Sequence, residues 1–133
     1  MRHTRYGLLA AALGLFSAAA APVLAHHSIS AEFDPKKELT IKGVLKGVLW
    51  INPHIVTQVY VTDKNGKVET YSFQGNGPAG YHRVGIYKED WKVGRPVVVT
   101  YIAAKDGTKT LGFMKMLKYA DDGHVLVFRV GGQ

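Results

Sequence analysis

The chain contains no cysteine, and that absence removes disulfides, thiolate metal ligands, thiol catalysis and a lipid-modified amino-terminal cysteine together. A domain so composed must hold itself by its own core. Beyond residue 25 no apolar run approaches the roughly 20 residues that a spanning helix needs, so no stable membrane span is expected in the mature chain. Charge of one sign is never concentrated either. The basic residues are scattered, with Lys36-Lys37 and the hairpin ends taking many of them, so no stripe suited to a polyanion forms and no nucleic acid partner is expected. Glu32, Asp34 and Asp63 give no carboxylate pair at a spacing suited to acid and base work. A nucleophile elbow and a phosphate loop are also missing, so the residues make no case for an enzyme.

What the chain does have begins at its start. Arg2 and Arg5 precede an alanine-rich apolar run from Gly7 to Ala21, Pro22 then breaks any helix, and Val23 and Ala25 flank Leu24 as small residues flank a signal peptidase site. Residues 1–25 are therefore expected to be a signal peptide cleaved after Ala25, and the protein to be periplasmic or secreted. Cleavage removes two arginines and no acid, which lowers the formal net charge from +7 to +5. The mature chain is the size of one small domain.

Residues 26–37 lack a sustained period and include Phe33 and Pro35, which suggests an extended arm ahead of a domain at 38–133. From Leu39 to Trp50 the apolar alternation slips around Gly43 and Gly47, as in a bulged and bent strand. After Asn52-Pro53, a second strand runs from His54 to Asp63 with Ile55, Thr57, Val59 and Val61 on one face. Asn65-Gly66 makes a hairpin turn into a third strand, Val68 to about Gln74. Pro78 suits the first turn of a helix reaching about Asp90, with a stripe of Tyr81, Val84 and Tyr87 or Lys88. Strands then follow at Pro96–Ala103, Thr110–Tyr119 and His124–Val130. Three strands, a short helix, then two or three strands predict an all-β fold, an OB-like barrel of five to six antiparallel strands with one short helix after strand three. An open β-sandwich is the competing architecture.

Several short motifs together resemble a known family. His26-His27-Ser28, Ala31-Glu32-Phe33-Asp34, Gly43-Val44, Trp50-Ile51-Asn52-Pro53-His54, Arg83-Val84-Gly85 and Lys105-Asp106-Gly107 are similar to a family of exported bacterial proteins known only as a domain of unknown function. The resemblance covers nearly all of the mature chain and departs from the family at Ile86, where an aromatic is expected after Gly85. It implies a shared small β fold and carries no reaction with it.

The chemistry rests on nitrogen. Cleavage after Ala25 makes His26 the first residue, so its new α-amino group and its imidazole can chelate one metal ion, with His27 as a third nitrogen. An all-nitrogen exported site suits copper(II) best and zinc next. Ser28 stands where the square amino-terminal motif needs a histidine, so a ligand from the body is required instead. His54 is the candidate, because Pro53 fixes the backbone before it at a strand start; Asn52-Pro53-His54 can equally be a connecting turn, and His26-His27 a polar terminus. His82 and His124 look solvent-facing. Met114 and Met116 are expected on one face of strand five, as core filler or as soft ligands for copper(I). Trp50, Tyr60, Tyr71, Phe73, Tyr81 and Trp91 are either core or a stacking platform. The expected function is copper binding through the processed terminus, with His26, His27 and His54 as ligands. Its alternative is a metal-free binding module for a small molecule, an envelope polymer or a partner protein.

Overall fold

The structure, a computed structural model, describes residues 29–128. Strand β1 spans Phe33–Leu49, β2 Val56–Thr62, β3 Val68–Gln74, β4 Pro96–Ala104, β5 Leu111–Tyr119 and β6 Val125–Val127. Helix α1 is the turn Ile29–Glu32, helix α2 is Pro78–His82, and a 3-10 turn follows at Lys88–Asp90.

Closure depends on β1. Phe33 pairs with Ala104, the ladder is then interrupted, and pairing resumes at Glu38↔Ile102 and runs antiparallel along β4 to Val44↔Pro96. From Val44↔Tyr60 to Leu49↔Val56 the same strand pairs antiparallel with β2. One strand thus serves two neighbours in the barrel wall, one along each of its edges. Lys46 is an extra residue between Leu45 and Gly47 in that second ladder, and the bulge bends the strand toward closure. Gly43 stands where the strands come closest: a Cβ there would lie 2.3 Å from the Tyr60 carbonyl oxygen.

The OB-like barrel is present, with one correction to the expected all-antiparallel pairing. β3 and β5 run in the same direction through Ser72↔Leu111, Phe73↔Gly112 and Gln74↔Phe113. A ring of five strands, β1-β2-β3-β5-β4, has an odd count, so strand direction cannot alternate all the way round. One seam must be parallel. β6 lies outside the ring, paired to β5 alone. It is shorter than the expected His124–Val130, part of which lies outside the described residues.

Inside the ring, Leu45, Ile55, Val59, Phe73, Val97, Val99, Tyr101, Met114, Leu117 and Tyr119 are buried together. Tyr81, Ile86 and Trp91 from the β3–β4 connection close one end of that core. Full burial of such side chains contributes about 1.5–3 kcal/mol each. The one buried polar side chain among the described residues, Thr57, accepts the Trp91 indole Nε1–H at 2.9 Å, so neither group is orphaned. A second cluster, Phe33, Ile102 and Phe113, lies on the outer face of β4 and β5, with Ile29 of α1 packed against it.

Two further expectations are corrected. The helix does not reach Asp90, because Gly85 adopts φ +76° and the Gly85 and Ile86 amides bond back to His82 and Tyr81. This is the glycine stop of a helix C-terminus, and it turns Val84 and Tyr87 outward, so the expected apolar stripe reduces to Tyr81. Met114 and Met116 do not share a face. Tyr101 pairs with Met114 and Thr100 with Met116, so Lys115 is a bulge that leaves Met114 in the core and Met116 only half-buried.

The β5–β6 turn is held by charge. Arg95 stacks 4.2 Å over the Tyr119 ring and its guanidinium bonds to the carboxylates of Asp121 and Asp122. Arg95 pulls the Asp121 pKa below the usual carboxylate range; for Asp122 the His124 backbone amide is the larger cause and Arg95 the second. A carboxyl whose folded pKa is depressed stabilises the fold above its unfolded value, about 3.9, and loses that contribution as pH falls through the folded value.

Two outcomes are expected. Gly43→Ala should cost about 1–3 kcal/mol, as overpacking does, whereas Gly47→Ala, with no atom within 4 Å of its new Cβ, should stay within about 0.5 kcal/mol of the parent; urea denaturation measures both. Asp121→Asn should lower the urea midpoint at pH 7, and the gap from the parent should close as pH drops below about 4. A gap that persists undiminished into acid would contradict this account of the turn.

Candidate functional site

The segment Gly75-Asn76-Gly77 positions His54. It runs between the β1–β2 connection and helix α2, and both glycines are places where a side chain has no room. A Cβ on Gly75 would lie 1.8 Å from the Tyr81 hydroxyl, and one on Gly77 2.7 Å from the Pro53 carbonyl oxygen. Two backbone bonds tie this segment to the strand start: the Ile55 amide donates to Asn76 O at 3.2 Å, and the Gly75 amide donates to Ile55 O at 2.9 Å. Burial pushes the Tyr81 phenol pKa up, with the Asn76 backbone amide working against it. Trp50 packs over the far side, 5.9 Å from the Tyr81 ring and 5.3 Å, edge-on, from Trp91.

In this frame His54 is half-buried and its Nδ1 lies 3.0 Å from the Gly75 carbonyl oxygen. A carbonyl only accepts, so Nδ1 carries the proton and donates it. In that tautomer the lone pair lies at Nε2, which is the form in which histidine binds a metal while its other nitrogen is held by a backbone carbonyl.

The other histidines differ. His82 is exposed, with its ring 5.8 Å from Trp50 and stacked 5.1 Å from Tyr87. His124 is exposed and stacks 6.2 Å from Tyr119. His26 and His27 lie outside the described residues. Among the described residues no three histidine or acidic side chains gather closely enough to hold a metal ion.

Beside this connection lies an open cavity of about 540 Å³. Its floor is the outer face of β2, β3 and β5, contributed by Val56, Ser72, Gln74 and Leu111; Ala31, Glu32 and Phe33, in a segment bonded to that of Ala104, Lys105 and Asp106 at the β4 end, complete the lining with them. The start of the described chain is thus fixed to the rim. The Lys105 amide donates to Glu32 O at 2.9 Å, and its ammonium donates to Ser30 O. The Asp106 carboxylate accepts the Thr108 amide at 2.9 Å, and this bond holds its pKa below the usual value. The cavity places Ala31, five residues after His26, across from Val56, two residues after His54.

Sequence patterning missed this cavity. The alternation along β2 and β3 places Val56, Ser72 and Gln74 outside the barrel, but only the parallel seam brings Leu111 beside them, and nothing local encodes that seam. The aromatic side chains resolve mainly into core: Phe73, Tyr81 and Trp91 are buried and Trp50 and Tyr71 pack against them, while Tyr60 remains 42% exposed.

Closed ring, bent first strand and a single connection helix define a small OB-like β-barrel protein with a cavity on its β2–β3 side. The family described as "Family of unknown function (DUF6152)" matches residues 14–113, and the chain belongs to it. Comparison with curated proteins found no match, and comparison with solved structures found none either.

The His54 tautomer is directly measurable. Long-range ¹H–¹⁵N correlation spectra of the metal-free protein at neutral pH should show a protonated Nδ1 and an unprotonated Nε2 for His54. The reverse assignment would show that the Gly75 bond does not form in solution.

Proposed function

We propose that this is an exported small-barrel protein that binds one copper(II) ion through the amino terminus created by cleavage after Ala25. The α-amine and imidazole of His26 and the imidazole of His54 would hold the ion, with His27 assisting; zinc is the next candidate by affinity order. One observation carries the proposal: the Gly75 carbonyl holds His54 Nδ1, which directs the ligating lone pair to Nε2, beside a cavity lined by both Ala31 and Val56.

Reach supports it as well. His26 is three residues before Ile29, so its Cα lies within about 11 Å of the Ile29 Cα whatever its conformation. Ile29 itself packs against the Phe33 cluster beside the cavity. Bound copper would supply Lewis acidity and a redox couple; the chain's own contribution is to fix one imidazole in its ligating tautomer and to tether the others nearby.

Intact-mass measurement of the exported protein should give a chain beginning at His26. In calorimetric titration with copper(II), His26→Ala and His54→Ala should each weaken binding tenfold or more, about 1.4 kcal/mol, while His124→Ala leaves it unchanged. One extra residue ahead of His26 should have the same effect as His26→Ala, because it removes the amine from chelating position. Retention of residues 1–25, or full affinity in both alanine variants, overturns the shared site and leaves the metal-free binding module in its place.

A further inference from the structure

The outer face of the β2–β3 hairpin is an unusual surface for a chain in which 20% of residues are charged. Its four outward cross-strand pairs are Val56↔Gln74, Gln58↔Ser72, Tyr60↔Thr70 and Thr62↔Val68, and none of the eight residues carries a charge. Outward positions of a half-solvated antiparallel pair are where charged side chains ordinarily collect. Here they give way to two amides, three aliphatic hydroxyls, two valines and a tyrosine.

The polar groups of this ribbon are available. Gln58, Ser72 and Gln74 are half-buried, and their side chains have no hydrogen-bond partner among the described residues. Thr70 Oγ1 receives only a long contact, 3.4 Å, from the Lys46 ammonium. Half-buried amides and hydroxyls without protein partners, beside apolar side chains such as Phe33, Val56 and Leu111, are the arrangement by which a pocket orients a neutral polar ligand. The cavity takes in three of the eight residues, Val56, Ser72 and Gln74, and its volume falls within the range of about 300–1,000 Å³ that small-molecule sites occupy.

Charge around the ribbon argues against an anion. Lys67 and Lys109 both bond to Glu69, at 3.1 and 2.7 Å, and the Lys46 ammonium sits 5.1 Å from the centre of the Tyr60 ring. At the cavity rim Glu32 and Asp106 outnumber Lys105, whose ammonium is already engaged by Ser30 O. No row of free cations is left to track a phosphate backbone. At the far end Tyr60 is still 42% exposed, so its ring offers surface to a flat apolar face. From Val56 to Tyr60 the ribbon extends about 13 Å at strand spacing, longer than a single small ring requires.

We infer that the cavity and the ribbon continuous with it bind a neutral oligosaccharide. The amides of Gln58 and Gln74 and the hydroxyl of Ser72 engage sugar hydroxyls or N-acetyl groups. Val56, Leu111 and Tyr60 meet the C–H faces of the rings. This site uses no histidine and is independent of the metal proposal.

The test is a titration of the purified, ¹⁵N-labelled protein, with chelator present, using tetramers of glucose and of N-acetylglucosamine and, separately, a ten-residue oligothymidylate. At least one sugar should produce saturable shifts of backbone amides within 56–60 and 70–74. Gln74→Ala and Tyr60→Ala, both at solvent-accessible positions and checked for an unchanged remainder of the spectrum, should each weaken that binding fivefold or more. Shifts at the same amides produced by the oligothymidylate and by neither sugar would make this a polyanion face and overturn the inference. So would the absence of saturable shifts with either sugar up to 10 mM, or undiminished sugar binding in both variants.

Discussion

The fold depends on one strand having two partners. β1 leaves β4 and joins β2 around Val44, and the backbone approach at Gly43 together with the Lys46 bulge lets it do so without a break. Everything else in the barrel follows from that turn of the sheet. Once β1 has bent, β3 and β5 are brought edge to edge, and their only available pairing is parallel. That seam closes the ring, removes two exposed edges and creates the ledge on which the cavity floor is built.

Much of this was legible in the sequence, and the parts that were not share a cause. The β3 limits, the inward set Ile55, Thr57, Val59 and Val61, and the bend between Gly43 and Gly47 are local signals of period and of glycine, and the structure carries them, with β2 at Val56–Thr62 shorter than the expected His54–Asp63. The parallel seam is not a local property: it depends on the count of strands in the ring. The helix was overextended because the Tyr81, Val84, Tyr87 spacing fits a helical period, while Gly85 carries the opposing instruction. The methionines were assigned to a common face because simple alternation does not foresee a bulge at Lys115. His54 was identified from Pro53 and a strand start, but its Nδ1 bond requires Gly75 to be brought alongside, which only the folded β2–β3 pair does.

The metal and sugar proposals draw on different parts of one surface. His54 belongs to the β1–β2 connection and is fixed by backbone hydrogen bonds, whereas the ribbon belongs to the middle of β2 and β3 and is defined by what it lacks, namely charge. Val56 and Gln74 stand between them, each adjacent to or two residues from a group that holds His54. A ligand lying along the ribbon would therefore end beside the imidazole. Tyr81, Trp50 and Trp91 pack together behind the His54 segment, and Trp91 is tied to Thr57 on the inner face of β2.

The anchoring of α1 to Lys105 has a consequence for how the terminus meets the barrel. Because Ser30 and Glu32 are bound through their carbonyls to Lys105 in the β4–β5 turn, the position of Ile29 is set by the barrel. Short tethers hold attached groups at effective concentrations of order millimolar. A group attached close to Ile29 would therefore meet the cavity rim as an intramolecular neighbour, at a rate independent of how dilute the protein becomes.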